Sequence, residues 1–340
     1  MAERFKVAVV GATGAVGETM LSILAERGFP AGEVYAVASA RSAGSRVAFG
    51  GRSLVVQDLA RFDFEGVDIG LFSPGASVSK IHAPRAAAAG CVVIDNTSEF
   101  RYDDDIPLVV PEVNPDALGG YLSRNIVANP NCSTIQMVVA LKPIYDAVGI
   151  ERINVCSYQA VSGTGKEAIE ELAVQTAALL NAREVSSNVY PKQIAFNCLP
   201  QIDTFEENAY TREEMKIVWE ARKILGDAEL RVNPTAVRVP VFYGHSEAIH
   251  IETGEKINAG EVRALLEQAP GVAVVDRHED GGYPTAVTEG ANRDEVFVGR
   301  IREDISHPRG INLWVVSDNV RKGAALNSIQ IAEMLVKNHL

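Results

Sequence analysis

"VAVVGATGAVGET", residues 7–19, decides how the rest of the chain is read. Residues 5–10 are a short apolar run of buried-strand type, and residues 15–27 continue with helical periodicity. Between the two, Gly11, Gly14 and Gly17 fall at a strand-to-helix turn. Glycines there let the backbone turn sharply and approach a pyrophosphate, which then sits on the helix N-terminus. A glycine-rich turn without a ligand is the competing reading, and the position directly behind a strand favours the nucleotide. The same stretch superficially resembles a signal peptide. Its three glycines and the lack of a clear cleavage site argue instead that it belongs to the fold.

The next element tells one dinucleotide from another. NAD binders place an Asp or Glu at the end of the second strand, about 20 residues on, to hold the ribose 2′-hydroxyl. Here that strand runs into "AVASARSAG", which offers Ser39, Arg41 and Ser42 and no carboxylate. An arginine with two hydroxyls suits a 2′-phosphate, so NADP is expected, against the alternative of a solvated loop arginine.

Further apolar runs at 34–38, 68–72 and 91–94 read as strands, with a helix over 77–90 despite Pro84. Strand–helix alternation over the first ~130 residues argues a parallel sheet with helices on both faces. After "NPNCST" (129–134) the pattern changes. Helices are expected over 134–148, disturbed at Pro143, from the "SGTGKE" turn through residue 180, and over 211–225. Strands are expected at 153–160, 237–242, 245–252, 272–275, 295–302 and 312–317, several alternating as in an open antiparallel sheet. A last helix covers about 320–337. The fold class is therefore α/β: a Rossmann-type NADP-binding domain, residues 1–130 completed by the helical segment 319–340. A second, α+β domain follows at 131–318, with a mixed, largely antiparallel sheet. No linker separates them.

Bulk properties narrow the partners. With 340 residues, two domains each have room for a core. The net charge of −12 repels nucleic acid and anionic membranes on average, and no run approaches the roughly 20 apolar residues of a membrane helix. An anionic small-molecule substrate must be caught by local basic groups. The four cysteines, Cys91, Cys132, Cys156 and Cys198, are widely spaced, which suggests neither zinc nor disulfides and fits reduced thiols in the cytoplasm.

Cys132 is the exception in its surroundings. It stands between Asn131 and a hydroxyl pair where an apolar helix begins, and unpaired amides at a helix start stabilise a thiolate. A small buried hydrophobe is the bland alternative. Downstream, "YGHSEA" sets His245 in a polar and mobile setting, unusual for a core histidine, where it could serve as general acid and base.

"GATGAVG", "SEFR", "NPNCST", "SYQAVSGTG", "EEMKIVWE" and "GHSEA" together resemble the aspartate-semialdehyde dehydrogenases over essentially the whole chain. The resemblance implies a nucleophile at Cys132, which forms a thioester with the aspartyl group, a substrate-orienting Gln159 and an acid/base at His245. It implies that Arg238 grips the substrate carboxylate, for which a guanidinium fork is well shaped. It assigns Glu213 to the substrate ammonium, Lys216 and Arg101 to phosphate, with Asn131 beside them. Thr13, Gly14, Ala15, Val16, Arg41, Ser42, Ser162, Gly163 and Asn319 would line the NADP site. The implied reaction is NADPH-dependent reduction of L-aspartyl 4-phosphate to L-aspartate 4-semialdehyde and phosphate. It serves lysine/diaminopimelate, methionine, threonine and isoleucine biosynthesis, in a homodimer built through the second domain. The cations Arg101, Lys216 and Arg238 match a substrate with two anionic ends. Outside this resemblance, Glu213 and Lys216 would pass for an exposed ion pair, and Arg101 for a partner of Asp103–Asp105. Rivals are another acyl-phosphate reductase, such as an N-acetyl-glutamyl-phosphate or glyceraldehyde-phosphate enzyme, and a non-catalytic NADP sensor.

Overall fold

A computed structural model describes residues 4–340. The chain divides into two compact units: one runs to Asn131 and takes back Ala324–Leu340, and the other is Cys132–Gly323.

In the first unit, β1 (Phe5–Val10), α1 (Ala15–Glu26), β2 (Ala31–Ala38), β3 (Arg46–Phe49), β4 (Arg52–Asp58), β5 (Ile69–Phe72), α2 (Ala76–Ala88), β6 (Val92–Asp95) and β7 (Ile126–Ala128) build one sheet, of order β3-β4-β2-β1-β5-β6-β7. All neighbours are parallel except the β3–β4 hairpin. That hairpin was not read from sequence, although Gly50 and Gly51, both at positive φ, are the turn chemistry of a tight hairpin. The short β7 escaped as well, three residues being too few for periodicity. The chain's last helix, α7 (Leu326–Asn338), packs on α1 and β6. Arg27 holds Glu333 through two hydrogen bonds of 2.7 and 2.8 Å. A polar lattice fixes the start of α7 to the strand ends. Asn327 donates to the Asn129 side chain at 2.7 Å, Asn129 to Asn96 at 2.9 Å, and Asn96 to Ser328 at 2.7 Å. The expected helix from 320 is thus two pieces, a π turn Arg321–Ala325 and α7.

In the second unit, α3 (Cys132–Val148), β8 (Ile150–Gln159), α4 (Lys166–Leu180), α5 (Arg212–Leu225), β9 (Arg231–Arg238), β10 (His245–Thr253), α6 (Ala259–Glu267), β11 (Val272–Val274), β12 (Val296–Glu303) and β13 (Gly310–Ser317) follow in order. The sheet runs β11-β12-β13-β10-β8-β9. It is antiparallel in its middle and parallel at both edges, β8 with β9 and β11 with β12. Alternate residues of β8 (Ile153, Val155, Ser157, Gln159) and β10 (His245, Glu247, Ile249, Ile251) are buried. Helix α3 packs on this sheet at β8, β10, β12 and β13, and continues through Pro143. The strand expected at 237–242 is a correction: it ends at Arg238 and begins at Arg231. Pro234 disguised it, yet β9 is an edge strand, where a missing amide is tolerated. Helix α6 was also missed, though Asn258 and Glu261 form a reciprocal capping box at 3.0 and 2.9 Å.

Candidate active site

The first unit carries the glycine loop. Gly11 has φ +87°, and a Cβ there would come within 2.8 Å of the Ser73 carbonyl group. A Cβ on Gly17 would lie 2.2 Å from the Gly11 oxygen, so the start of α1 is pressed onto the turn. No side chain caps α1, whose N-cap is Gly14, and its first-turn amides are open to an anion. Thr13 Oγ1 donates to Ser42 Oγ at 3.4 Å, joining the loop after β1 to the loop after β2. Ser39 and Arg41 are exposed beside them. These features fit a dinucleotide phosphate group, and they place the unit in the dinucleotide-binding class.

In the second unit, strand register gathers the candidate side chains at one end of the sheet. Gln159, the last residue of β8, lies opposite Arg238, the last of β9. His245, the first residue of β10, faces Ser317 of β13, and Ser246 pairs with Tyr158. Arg238, Gln159, His245 and Ser317 therefore form a row across the buried face. Arg238 Nη1 donates to the Ala160 carbonyl at 2.6 Å, and its guanidinium carbon sits 5.9 Å from the Tyr190 ring centre. Gln159 Nε2 donates to Ser157 Oγ and Glu213 Oε1, both at 3.2 Å. Gly163 keeps the row open: a Cβ there would meet Arg238 Nη1 at 3.1 Å and His245 Nε2 at 3.4 Å.

Cys132 is the first residue of α3 and half-buried. Cys91, by comparison, is fully buried, and burial pushes its thiol far above its ordinary range. The turn after β13 closes on Cys132. Gly323 donates to the Asp318 carbonyl at 3.0 Å, and a Cβ on Gly323 would stand 2.8 Å from that of Cys132. Nothing local marks Gly323 for this role, since a lone glycine inside a helical pattern is tolerated at a modest cost.

Glu213 and Lys216 are not the exposed pair their spacing suggests, with side chains only 7% and 13% accessible. Lys216 donates to Glu213 at 3.0 Å and to Asp203 at 2.9 Å. Burial alone would lower the ammonium's pKa, yet the Glu213 charge and the Asp203 hydrogen bond outweigh it and raise it. Asp203, held at φ +69°, left no trace in the sequence. Glu213 sits in the first turn of α5, where Thr211 and Glu214 form a capping box. Ser162 and Asn319, expected at the cofactor, hydrogen-bond each other at 3.0 Å, and Asn319 also accepts from the Gly244 amide at 3.0 Å. Arg101 and Asn131 belong to the first unit, and both are buried. Arg101 donates to the Asn96 carbonyl at 2.8 Å, while Arg124 engages Asp103 and Asp105.

The setting of His245 differs from expectation. It opens the strand expected there, but it is 0% exposed and held within the sheet, not in a mobile setting. Its Nδ1 accepts the Ala160 amide proton at 3.0 Å, so the neutral ring carries its hydrogen on Nε2. Burial first, then the Arg238 charge, pull its pKa down to about 3. Nε2 meets no hydrogen-bond partner among the described residues. The site thus presents a neutral N–H donor and not an imidazolium.

Comparison with known proteins agrees with this architecture. Residues 6–121 match the semialdehyde dehydrogenase NAD-binding domain, and residues 141–322 the semialdehyde dehydrogenase dimerisation domain. The chain is 62% identical over 339 residues to the aspartate-semialdehyde dehydrogenase of Shewanella violacea, covering 100% of both. The crystal structure of aspartate semialdehyde dehydrogenase II from Vibrio cholerae, complexed with ASA, superposes at TM-score 0.98 with 58% identity, over 100% of both chains. That of the Candida albicans enzyme with NADP gives 0.75 at 27% identity, over 98% of each. The chain belongs to the aspartate-semialdehyde dehydrogenase family of NAD(P)-binding oxidoreductases.

Proposed function

We propose that this chain reduces L-aspartyl 4-phosphate to L-aspartate 4-semialdehyde with release of phosphate, through a thioester on Cys132, using NADPH. The observation that carries the reading is the row of Arg238, Gln159 and His245 on the face against which α3, and with it Cys132, is packed.

The Cys132 thiolate attacks the acyl carbon, a carbon–sulfur bond forms, and the carbon–oxygen bond to phosphate breaks. NADPH, when bound, supplies the hydride that reduces the acyl group. Negative charge then developing on the acyl oxygen is met by the neutral His245 Nε2–H, a preorganised donor in a site sheltered from water. Breakage of the carbon–sulfur bond frees the aldehyde and regenerates the thiolate. Splitting one displacement into two steps is the gain of a covalent nucleophile. Arg238 reads the substrate carboxylate as a planar fork. Glu213, a buried carboxylate beside Gln159, reads the ammonium; an N-acylated substrate would have no use for it. Phosphate is assigned to Lys216, Arg101 and Asn131 on family resemblance. At the cofactor, Arg41 with Ser39 and Ser42 selects the 2′-phosphate, while Gly11, Thr13, Gly14, Ala15 and Val16 take the pyrophosphate. The active form is a cytoplasmic homodimer joined through the second unit.

The test is phosphate-dependent reduction of NADP with aspartate semialdehyde by the purified protein. Turnover that requires phosphate and prefers NADP supports the reading. Absence of turnover, or equal turnover of N-acylated and free substrates, overturns it.

A further inference from the structure

Directly beneath the row of Arg238, Gln159 and His245 lies a second row on the same buried face: Ala236, Ser157, Glu247 and Val315, in register across β9, β8, β10 and β13. Glu247 does not fit a core. It is 0% exposed, and neither carboxyl oxygen has a hydrogen-bond partner of good geometry among the described residues. Among the described residues no cation offsets it, and the one group that favours its ionised form is the side chain of Gln136, itself buried and likewise without a well-formed partner. Burial raises the acid well above the usual carboxylate range. A buried carboxyl with no cation neutralises in preference to carrying charge.

The placement of this pair is what makes it more than a curiosity. Gln136 follows Cys132 by four residues, one turn along the same face of α3. Glu247 follows His245 by two, on the same face of β10. Gln136 meets Glu247, and α3, which turns back into β8 at Gly149, runs along the sheet in the same direction as β10, so Cys132, one turn before Gln136, lies toward the His245 end. Ser157, opposite Glu247, already supports Gln159 above it at 3.2 Å. An apolar core of the same volume would be easier to fold here, because buried polar groups are costly unless satisfied.

We propose that Glu247 and Gln136 are positioning residues, a neutral polar support that fixes the start of α3 against β10 and so aligns the Cys132 thiol with the His245 donor. This rests on the catalytic reading above. The support sets geometry and adds no charge: an ionised Glu247 would draw His245 towards the imidazolium, against the hydrogen bond its Nδ1 accepts.

The experiment is a double-variant cycle on the purified full-length protein with Glu247→Leu, Gln136→Leu and their combination, beside Glu247→Gln. Each leucine variant should lower kcat about tenfold or more, within what a sub-ångström misplacement costs, while KM stays within about twofold. The combination should lose no more than the worse single variant, as residues acting as one unit do. Glu247→Gln, neutral and of similar shape, should recover most of the loss. The rate of Cys132 alkylation by iodoacetamide should fall in parallel, and because it needs no substrate, it tests the positioning even if the proposed reaction fails. Should Glu247→Leu not fold, Gln136→Leu and Glu247→Gln decide. Unchanged kcat and alkylation in Gln136→Leu, fully additive losses, or a Glu247→Gln variant as impaired as the leucine variants would each overturn the proposal.

Discussion

The glycine loop and the thiol site are built by opposite means, one from backbone and the other from side chains. The loop lies in one continuous stretch from the end of β1 into α1, and it works by what it lacks: side chains at Gly11 and Gly17, and a side-chain cap on α1. The thiol site draws on five separate segments, the starts of α3, α5 and β10 and the ends of β8 and β9, and works through side chains that sheet register lines up. Backbone sites are therefore written locally, and side-chain sites only in the tertiary contacts. The two should also fail differently when altered.

The largest effect is expected from Cys132→Ala, which should reduce turnover by at least about 10⁴-fold, as loss of a nucleophile does, while NADP titration shows binding within a few-fold of wild type. A substantial residual rate would end the covalent mechanism and leave the first unit as the only working half.

His245→Leu comes next. Removal of one preorganised donor costs about 10²–10³-fold in kcat. The histidine also leaves a mark on stability. Its pKa falls from 6.5 to about 3 on folding. Below pH ~6.5 the unfolded chain takes up a proton that the buried ring refuses, so stability drops with falling pH by up to about 1.4 kcal/mol per unit, down to about pH 3. Denaturation of wild type and variant between pH 7 and 5 should show a steeper slope in wild type, since His82, whose pKa burial also lowers, contributes to both. Equal slopes would mean the ring titrates normally and acts as a solvated acid/base.

Two glycines compare the regions directly. Gly17→Ala drives a Cβ to 2.2 Å from a backbone oxygen that has nowhere to go. It should cost about 1–3 kcal/mol of stability, in the range of overpacking, together with NADP affinity. Gly163→Ala meets only the ends of the Arg238 and His245 side chains, so kcat should fall several-fold while the melting temperature moves by less than about 2 °C. The reverse pattern in calorimetry and kinetics would contradict the division between backbone and side-chain sites.

The most selective effect belongs to Arg41→Ala, which should weaken NADP roughly 10- to 150-fold, the loss of one charge-assisted contact, with NAD unchanged. Equal losses for both cofactors would remove Arg41 from the 2′-phosphate.

What could be read from the chain follows the same line. The strand–glycine–helix start, the change of pattern at "NPNCST" and the long amphipathic helices were all legible, because each is encoded within one or two turns or strands of sequence. The β3–β4 hairpin and α6 carry signals too, Gly50–Gly51 and the Asn258–Glu261 box, but these span only two to four residues and do not stand out from the flanking loops. Pro234 misled, because nothing local says that β9 is an edge strand.

Sequence by itself determined the two kinds of unit, the nucleotide class of the first, and which residue types could do chemistry. Tertiary structure alone decided that Glu213 and Lys216 are buried with Asp203, that Gly323 closes on Cys132, and that Glu247 lies under His245 with Gln136 beneath Cys132. It also turned His245 from a mobile acid/base into a fixed neutral donor. The physical reason is that protonation and orientation depend on desolvation and on partners far away in the chain, and a sheet brings those partners together by register, which no local pattern of residues records.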